Sequence, residues 1–188
     1  MSATGCYTSH IKVLEEINQR RCPAEETTIK GGLRYRPYRA LVLEDNLELT
    51  AVHGRVGGCE EVLRDLTRFV GDDERAPVGD ETGSSSISRQ WDVIHLAYMM
   101  YVPNLNLQRI DDSDDEEEDR YKHIVQMIAD KNAAVGTTAY LISSSGASKV
   151  LQRHTERGYV DAIPNVMSQL FPESRYAVYP MLFHRAGE

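Results

Sequence analysis

An α/β layered domain is predicted by three observations: helical and strand-like apolar periods alternate along the chain, no stretch repeats, and 188 residues suit one domain with a substantial core. Residues 6–20 carry Ile11, Leu14 and Ile17 at three-residue steps with Val13 beside them, the apolar face of a helix. Glu15, Glu16 and Arg20 belong to its solvated face. Pro23 stops that helix, and residues 24–38, polar and holding Gly31-Gly32, read as a loop. Residues 40–43 (ALVL) form a short continuous apolar run, the mark of a strand buried on both faces. Helical spacing returns over residues 56–70 through Val62, Leu63, Leu66 and Phe69. Residues 71–90, rich in Asp, Gly, Pro and Ser, are expected to be a flexible surface connection. A second buried strand is expected at residues 92–96 within WDVIHL, and a third at 135–143 (VGTTAYLIS). A helix should cover 145–156 with Ser144 or Ser145 as its cap. A short helix broken by Pro164 should follow over 160–170, and a late strand over 176–182.

Charge narrows the classes of function. The formal net charge is −8, from 29 acidic and 21 basic side chains, yet eight acidic residues lie in the nine-residue run 111–119 (DDSDDEEED). Without that run the charges balance, so the acidity belongs to one surface insert, whose like charges repel and carry no apolar anchor. No basic stripe is present, which argues against wrapping nucleic acid. No apolar run approaches the roughly 18–20 residues of a membrane-spanning helix, and residues 1–21 do not read as a signal peptide. Three widely spaced cysteines, Cys6, Cys22 and Cys59, make neither a disulfide framework nor a CxxC-type zinc site.

The strongest local sign of chemistry is Glu44-Asp45-Asn46 at the end of the 40–43 run. A strand that delivers carboxylates at its C-terminal end puts charge where open α/β sheets bind ligands, and clustered oxygens suit a hard dication such as Mg²⁺ or Mn²⁺. Loop or helix-capping duty explains the same residues without any ligand. The six histidines include no HExxH or HxH pair, which argues against an all-protein zinc site. His10, on the edge of the first helix, has a structural hydrogen-bonding role by default. There is no nucleophile elbow, Walker loop or GxGxxG stretch.

Taken in order, several segments resemble glycosyltransferase family 25, the family of lipopolysaccharide-biosynthesis sugar transferases and procollagen galactosyltransferases. GCYTSH at residues 5–10 resembles its G-C-x-x-S-H, ALVLEDN at 40–46 its A-L-V-L-E-D-D, and WDVIHL at 91–96 its W-D-V-I-x-L. GTTAYLISSSGASKVL at 136–151 resembles its G-T-x-A-Y-x-I-S-x-x-G-A-x-x-L-L. Asp161 within YVDAIPN corresponds to its P-V-D, and Tyr179-Pro180 to its late Y-x-x-P. The resemblance runs from Gly5 to about His184. It implies a GT-A-like fold, a mostly parallel sheet flanked by helices, in one domain spanning residues 1–188. It also implies inverting, metal-assisted transfer of a hexose, commonly from UDP-galactose, to a hydroxyl acceptor, with Mn²⁺ or Mg²⁺ as cofactor.

By the same resemblance, Glu44, Asp45 and Asn46 form the metal and nucleotide motif, with Asp45 and Asn46 as metal ligands and His184 as a further one. Ser9 and His10 lie near the nucleotide. Gly136, Thr137 and Tyr140 line the donor sugar or the acceptor, although Tyr140 suits the core equally well. Asp161 contacts the sugar or takes the acceptor proton. Asn46 stands where the family has Asp, which lowers the expected metal affinity and keeps open a non-catalytic relative acting as an interaction or scaffold protein. Members of the family carry a strand–helix unit before G-C-x-x-S-H, so a sheet lacking that unit and exposing an edge is expected here. The compartment stays open between the endoplasmic reticulum lumen, where collagen-modifying members work, and the cytoplasm.

Overall fold

A computed structural model of the chain describes residues 3–19, 39–45, 47–50, 58–72, 90–98, 106–109, 121–128 and 136–186. Asn46, the 24–38 loop and the 111–119 acidic run lie outside them, as do residues 73–89 of the 71–90 connection. Among the described residues, four helices and eight strands follow in the order α1 (Ala3–Gln19), β1 (Arg39–Leu43), β2 (Leu47–Leu49), α2 (Gly58–Asp72), β3 (Val93–Ala97), β4 (Asn106–Arg109), β5 (Ile124–Ile128), β6 (Ala139–Ser143), α3 (Ser144–Arg157), α4 (Ile163–Leu170), β7 (Arg175–Val178) and β8 (Phe183–Arg185).

Six strands form one sheet in the order β1-β6-β3-β7-β5-β4, and β2 pairs with β8 as a separate ribbon. The expected mostly parallel sheet is corrected here. Among the described strands only β3 and β7 pair in parallel; the β1–β6, β3–β6, β5–β7 and β4–β5 pairs are antiparallel. A continuous apolar run reports that both faces of a strand are covered, not which way its neighbour runs. Here β6 lies between β1 and β3 and reverses against both, and β5 reverses against β7.

Side-chain alternation sends successive residues to opposite faces, and each face has its own helical cover. Val42, Val93, Tyr140 and Ile142 pack with Tyr7, Ile11 and Leu14 of α1, with Ala147 and Val150 of α3, and with Ile163, Val166 and Met167 of α4. Their strand neighbours Ile94, Ala139, Tyr176 and Val178 face Val62, Leu66 and Phe69 of α2, joined by Trp91 and Leu182. Helices therefore flank both faces of the sheet. Among the described residues β1 is an edge strand, and it is not buried on both faces as expected: Leu41 and Leu43 are 53% and 50% exposed. Val42 faces the α1 side, whereas the opposite face of β1 lies beyond the cover of α2 apart from Arg39, whose Nη2 reaches the Val70 carbonyl at 2.5 Å.

Local chemistry explains the helix ends. The cap of α3 is Ser143, not Ser144 or Ser145: in extended backbone, its Oγ accepts the Gly146 N–H at 3.0 Å. The helix ends at Gly158, whose φ of 63° suits glycine and whose N–H donates to the His154 carbonyl. Pro164 starts α4 instead of breaking a helix, because a proline in the first turn forfeits no intrahelical bond. Val13 and Leu63, expected on apolar helix faces, are exposed just off the buried stripes. No described helix is long and apolar enough to cross a membrane.

Candidate functional site

A partly buried polar cluster forms where the first turns of α1 meet the end of β1 and the start of β6. Residues four apart share a helix face, so Cys6 and His10 stand one turn apart above the sheet. Glu44 follows the last residue of β1, and its N–H donates to the Thr138 carbonyl at 2.9 Å. The antiparallel register sets Val42 opposite Tyr140, so Thr137 and Tyr140 come up beside Glu44.

His10 is the centre. Its Nδ1 lies 2.9 Å from the Tyr140 hydroxyl, its Nε2 3.3 Å from Thr137 Oγ1, and the same Nε2 3.7 Å from Glu44 Oε1. The other Glu44 oxygen, Oε2, accepts from Arg185 Nη2 at 2.6 Å. Cys6, His10 and Glu44 each offer a donor atom, and these atoms lie within 4.8 Å of one another. The carboxyl of Glu44 is held below its ordinary range, by His10 first and by Arg185, against the opposing effect of burial. Burial, with Glu44 adding to it, pushes both the Cys6 thiol and the Tyr140 phenol upward. At neutral pH the cluster thus pairs an ionised carboxylate with a neutral thiol and a neutral phenol.

Four of the expected site residues meet here: His10, Glu44, Thr137 and Tyr140. Gly136 leads into Thr137 and is half-buried. Ser9, Asp45, Asp161 and His184 make no hydrogen bond or ion pair with this cluster, and Asn46 lies outside the described residues. Ser9 is exposed on α1 and donates to the Gly5 carbonyl one turn back, as a serine inside a helix does. Asp45 is exposed and makes no hydrogen bond or ion pair among the described residues. Asp161 sits before α4, where Oδ1 accepts from the Ala162 N–H at 2.7 Å and from Asn165 Nδ2 at 2.9 Å.

His184 is not brought to the Glu44 cluster. It lies opposite Glu48 in the β2–β8 ribbon, with Nε2 3.8 Å from Glu48 Oε2. Adjacent strand residues point to opposite faces, so the side chain of Arg185, which reaches Glu44, turns that of His184 the other way.

Two members of the cluster, Cys6 and Arg185, were not among the expected site residues. Cys6 carried a signal, its four-residue spacing from His10 on a predicted helix. Arg185 carried none, because 141 residues separate it from Glu44 and only the pairing of β8 with β2 delivers it. The donors brought together, a thiol, an imidazole and one carboxylate, do not make the all-oxygen cage that suits Mg²⁺ or Mn²⁺. The free carboxylate of Asp45 does fit the mode in which one carboxylate shares such an ion with substrate phosphates and water. No protein-family model matches the chain, and no curated protein sequence matches it.

Proposed function

We propose that the chain is a glycosyltransferase domain that moves a hexose, galactose first, from a nucleotide diphosphate sugar to a hydroxyl acceptor with inversion. The observation that carries this reading is the convergence of His10, Glu44, Thr137 and Tyr140. They come from the 5–10, 40–46 and 136–151 segments, the ones whose resemblance to family 25 assigns them to the donor. An ionised carboxylate beside an imidazole and two hydroxyls is suited to hydrogen-bonding a nucleoside or sugar hydroxyl.

In the transfer, the bond from the anomeric carbon to the diphosphate oxygen breaks and a bond to the acceptor oxygen forms on the opposite face. The diphosphate leaves with the electron pair, and the acceptor proton goes to a carboxylate. Asp161 suits that last role: Oδ1 is taken by Ala162 and Asn165, which fix the side chain, while Oδ2 has no partner among the described residues. Asp45 would hold Mn²⁺ or Mg²⁺, which when bound neutralises charge on the departing diphosphate.

The test is a thermal melt with UDP-galactose and Mn²⁺ together, against each alone. A hundredfold excess over Kd stabilises by about 2.7 kcal/mol, a rise of roughly 5–10 °C for a chain of this size. Asp45→Ala should remove the shift, and Asp161→Asn should retain it while turnover falls at least ~100-fold. No shift with any UDP- or GDP-sugar overturns the proposal. One observation favours a second reading, a non-catalytic interaction protein: Arg185 already occupies Glu44 at 2.6 Å, as in a purely structural linchpin. Release of UDP in the presence of an acceptor refutes that second reading.

A further inference from the structure

We infer that Cys6, His10 and Glu44 form a zinc site. The first ground is the donor set. Thiolate, imidazole and carboxylate are ligands of a borderline-soft, tetrahedral ion, and Cys6 with His10 repeats the one-turn helical spacing that lets two side chains grip one metal.

Distance is the second. Zinc bonds of about 2.0–2.3 Å put tetrahedral ligand atoms roughly 3.4–3.6 Å apart. His10 Nε2 and Glu44 Oε1 already stand at 3.7 Å, and all three donors lie within 4.8 Å, so rotamer-scale contraction closes the site.

The third ground is how the ligands are held from behind. Metal-binding histidines usually donate their other ring N–H to a fixed partner, and ligating carboxylates are themselves hydrogen-bonded. Here His10 and Glu44 approach each other through Nε2 and Oε1. The remaining atoms are held by buried Tyr140, through Nδ1 at 2.9 Å, and by Arg185, through Oε2 at 2.6 Å. Zinc selects the tautomer in which Nδ1–H donates to the Tyr140 oxygen and Nε2 turns its lone pair inward. Thr137 Oγ1, 3.3 Å from Nε2, then lies beside the fourth position, which three protein ligands leave to water or to a substrate oxygen. Binding converts the Cys6 thiol to thiolate and releases one proton to solvent.

The site shares His10 and Glu44 with the proposed donor site, but it is probed with metal alone and no nucleotide sugar, so the two readings stand or fall by separate measurements. The experiment is a Co²⁺ titration of the full chain under reducing conditions, followed by Zn²⁺ displacement. One equivalent should bind with visible ligand-field bands and a near-ultraviolet sulfur-to-cobalt charge-transfer band, and Zn²⁺ should erase both. Cys6→Ser should lose the charge-transfer band while keeping its far-ultraviolet circular dichroism, and Glu44→Gln should weaken binding at least tenfold. A Cys22→Ser/Cys59→Ser variant should keep the band. Absence of binding to the wild-type chain overturns the site. So does survival of the band in folded Cys6→Ser, or its loss in the Cys22→Ser/Cys59→Ser variant.

Discussion

Single residues in this protein take their character from where the sheet puts them. His95 in the middle of β3 is fully buried, and neither ring nitrogen has a hydrogen-bond partner of normal geometry. Burial first, and the Arg175 guanidinium second, push its pKa down to about 3, and the nearby Gly136 backbone offsets only part of this. A folded-state value below the unfolded one means the contribution to stability is complete above about pH 6.5 and is lost as pH falls toward 3. The difference corresponds to at most about 5 kcal/mol, drawn from the unfolded chain taking up a proton that the folded chain refuses. His95→Leu removes two unpaired polar atoms at similar volume. It should leave the melting temperature at pH 7 equal or higher, and flatten the loss of stability on acidification; a melting series from pH 7 to pH 4 reads both. Glu44 acts in the same direction over a lower window, since its depressed carboxyl stabilises the fold above the ordinary carboxylate range. Glu44→Gln should therefore be less acid-sensitive below about pH 4.5, as well as less stable at pH 7 by about 1–3 kcal/mol. An equal acid slope in the two proteins would show that neither the His10 nor the Arg185 contact of Glu44 persists in solution.

At the scale of elements, the joint between β6 and α3 is held from several sides. Ser143 caps α3 with its side chain, and its own N–H donates to the Asp92 carbonyl at 3.0 Å, so the start of the helix is tied to the start of β3. The same Asp92 is buried and accepts on Oδ2 from Lys149 Nζ and from Ser174 Oγ, both at 2.6 Å. That close approach is possible only because residue 146 is glycine: a Cβ there would meet the Asp92 carbonyl oxygen at 2.5 Å. Gly146→Ala gains about 1 kcal/mol of helix propensity and meets backbone that cannot step aside. The net outcome should be a loss of about 1–3 kcal/mol, visible as a lower denaturant midpoint with an unchanged slope. A gain in stability would mean that α3 slides off β3 without penalty. Ser143→Ala should cost about 1 kcal/mol in the same measurement.

Across the whole molecule, cover is unequal. The α1, α3 and α4 side is closed over Val42, whereas Leu41 and Leu43 on the opposite face of the edge strand β1 stay half-exposed. An edge strand with exposed leucines is a template for pairing with another chain unless charge interrupts it. A Leu41→Lys/Leu43→Lys variant should keep its melting temperature within about 2 °C, since exposed substitutions rarely exceed ±0.5 kcal/mol. Its light scattering at high protein concentration should fall. Scattering that does not change would locate self-association on another surface.

Taken alone, the sequence determined the mixed α/β class and, apart from Val13 and Leu63, the stripes that bury α1 and α2. It also marked a buried strand at residues 92–96, which the structure forms as Val93–Ala97, all of it buried. These follow from apolar periodicity, a local property of consecutive residues. It did not determine strand direction, because coverage of both faces reads the same in parallel and antiparallel neighbours; nor did it reveal β2, β4, β5 and β8, each of three to five residues. His10, Glu44, Thr137 and Tyr140 were legible as separate motifs, but their meeting required β6 to lie antiparallel against β1. Cys6 entered the site through a helical turn, and Arg185 through a ribbon closed across the length of the chain. Those are long-range pairings, set by which connections the packed core permits, and no window of neighbouring residues contains them.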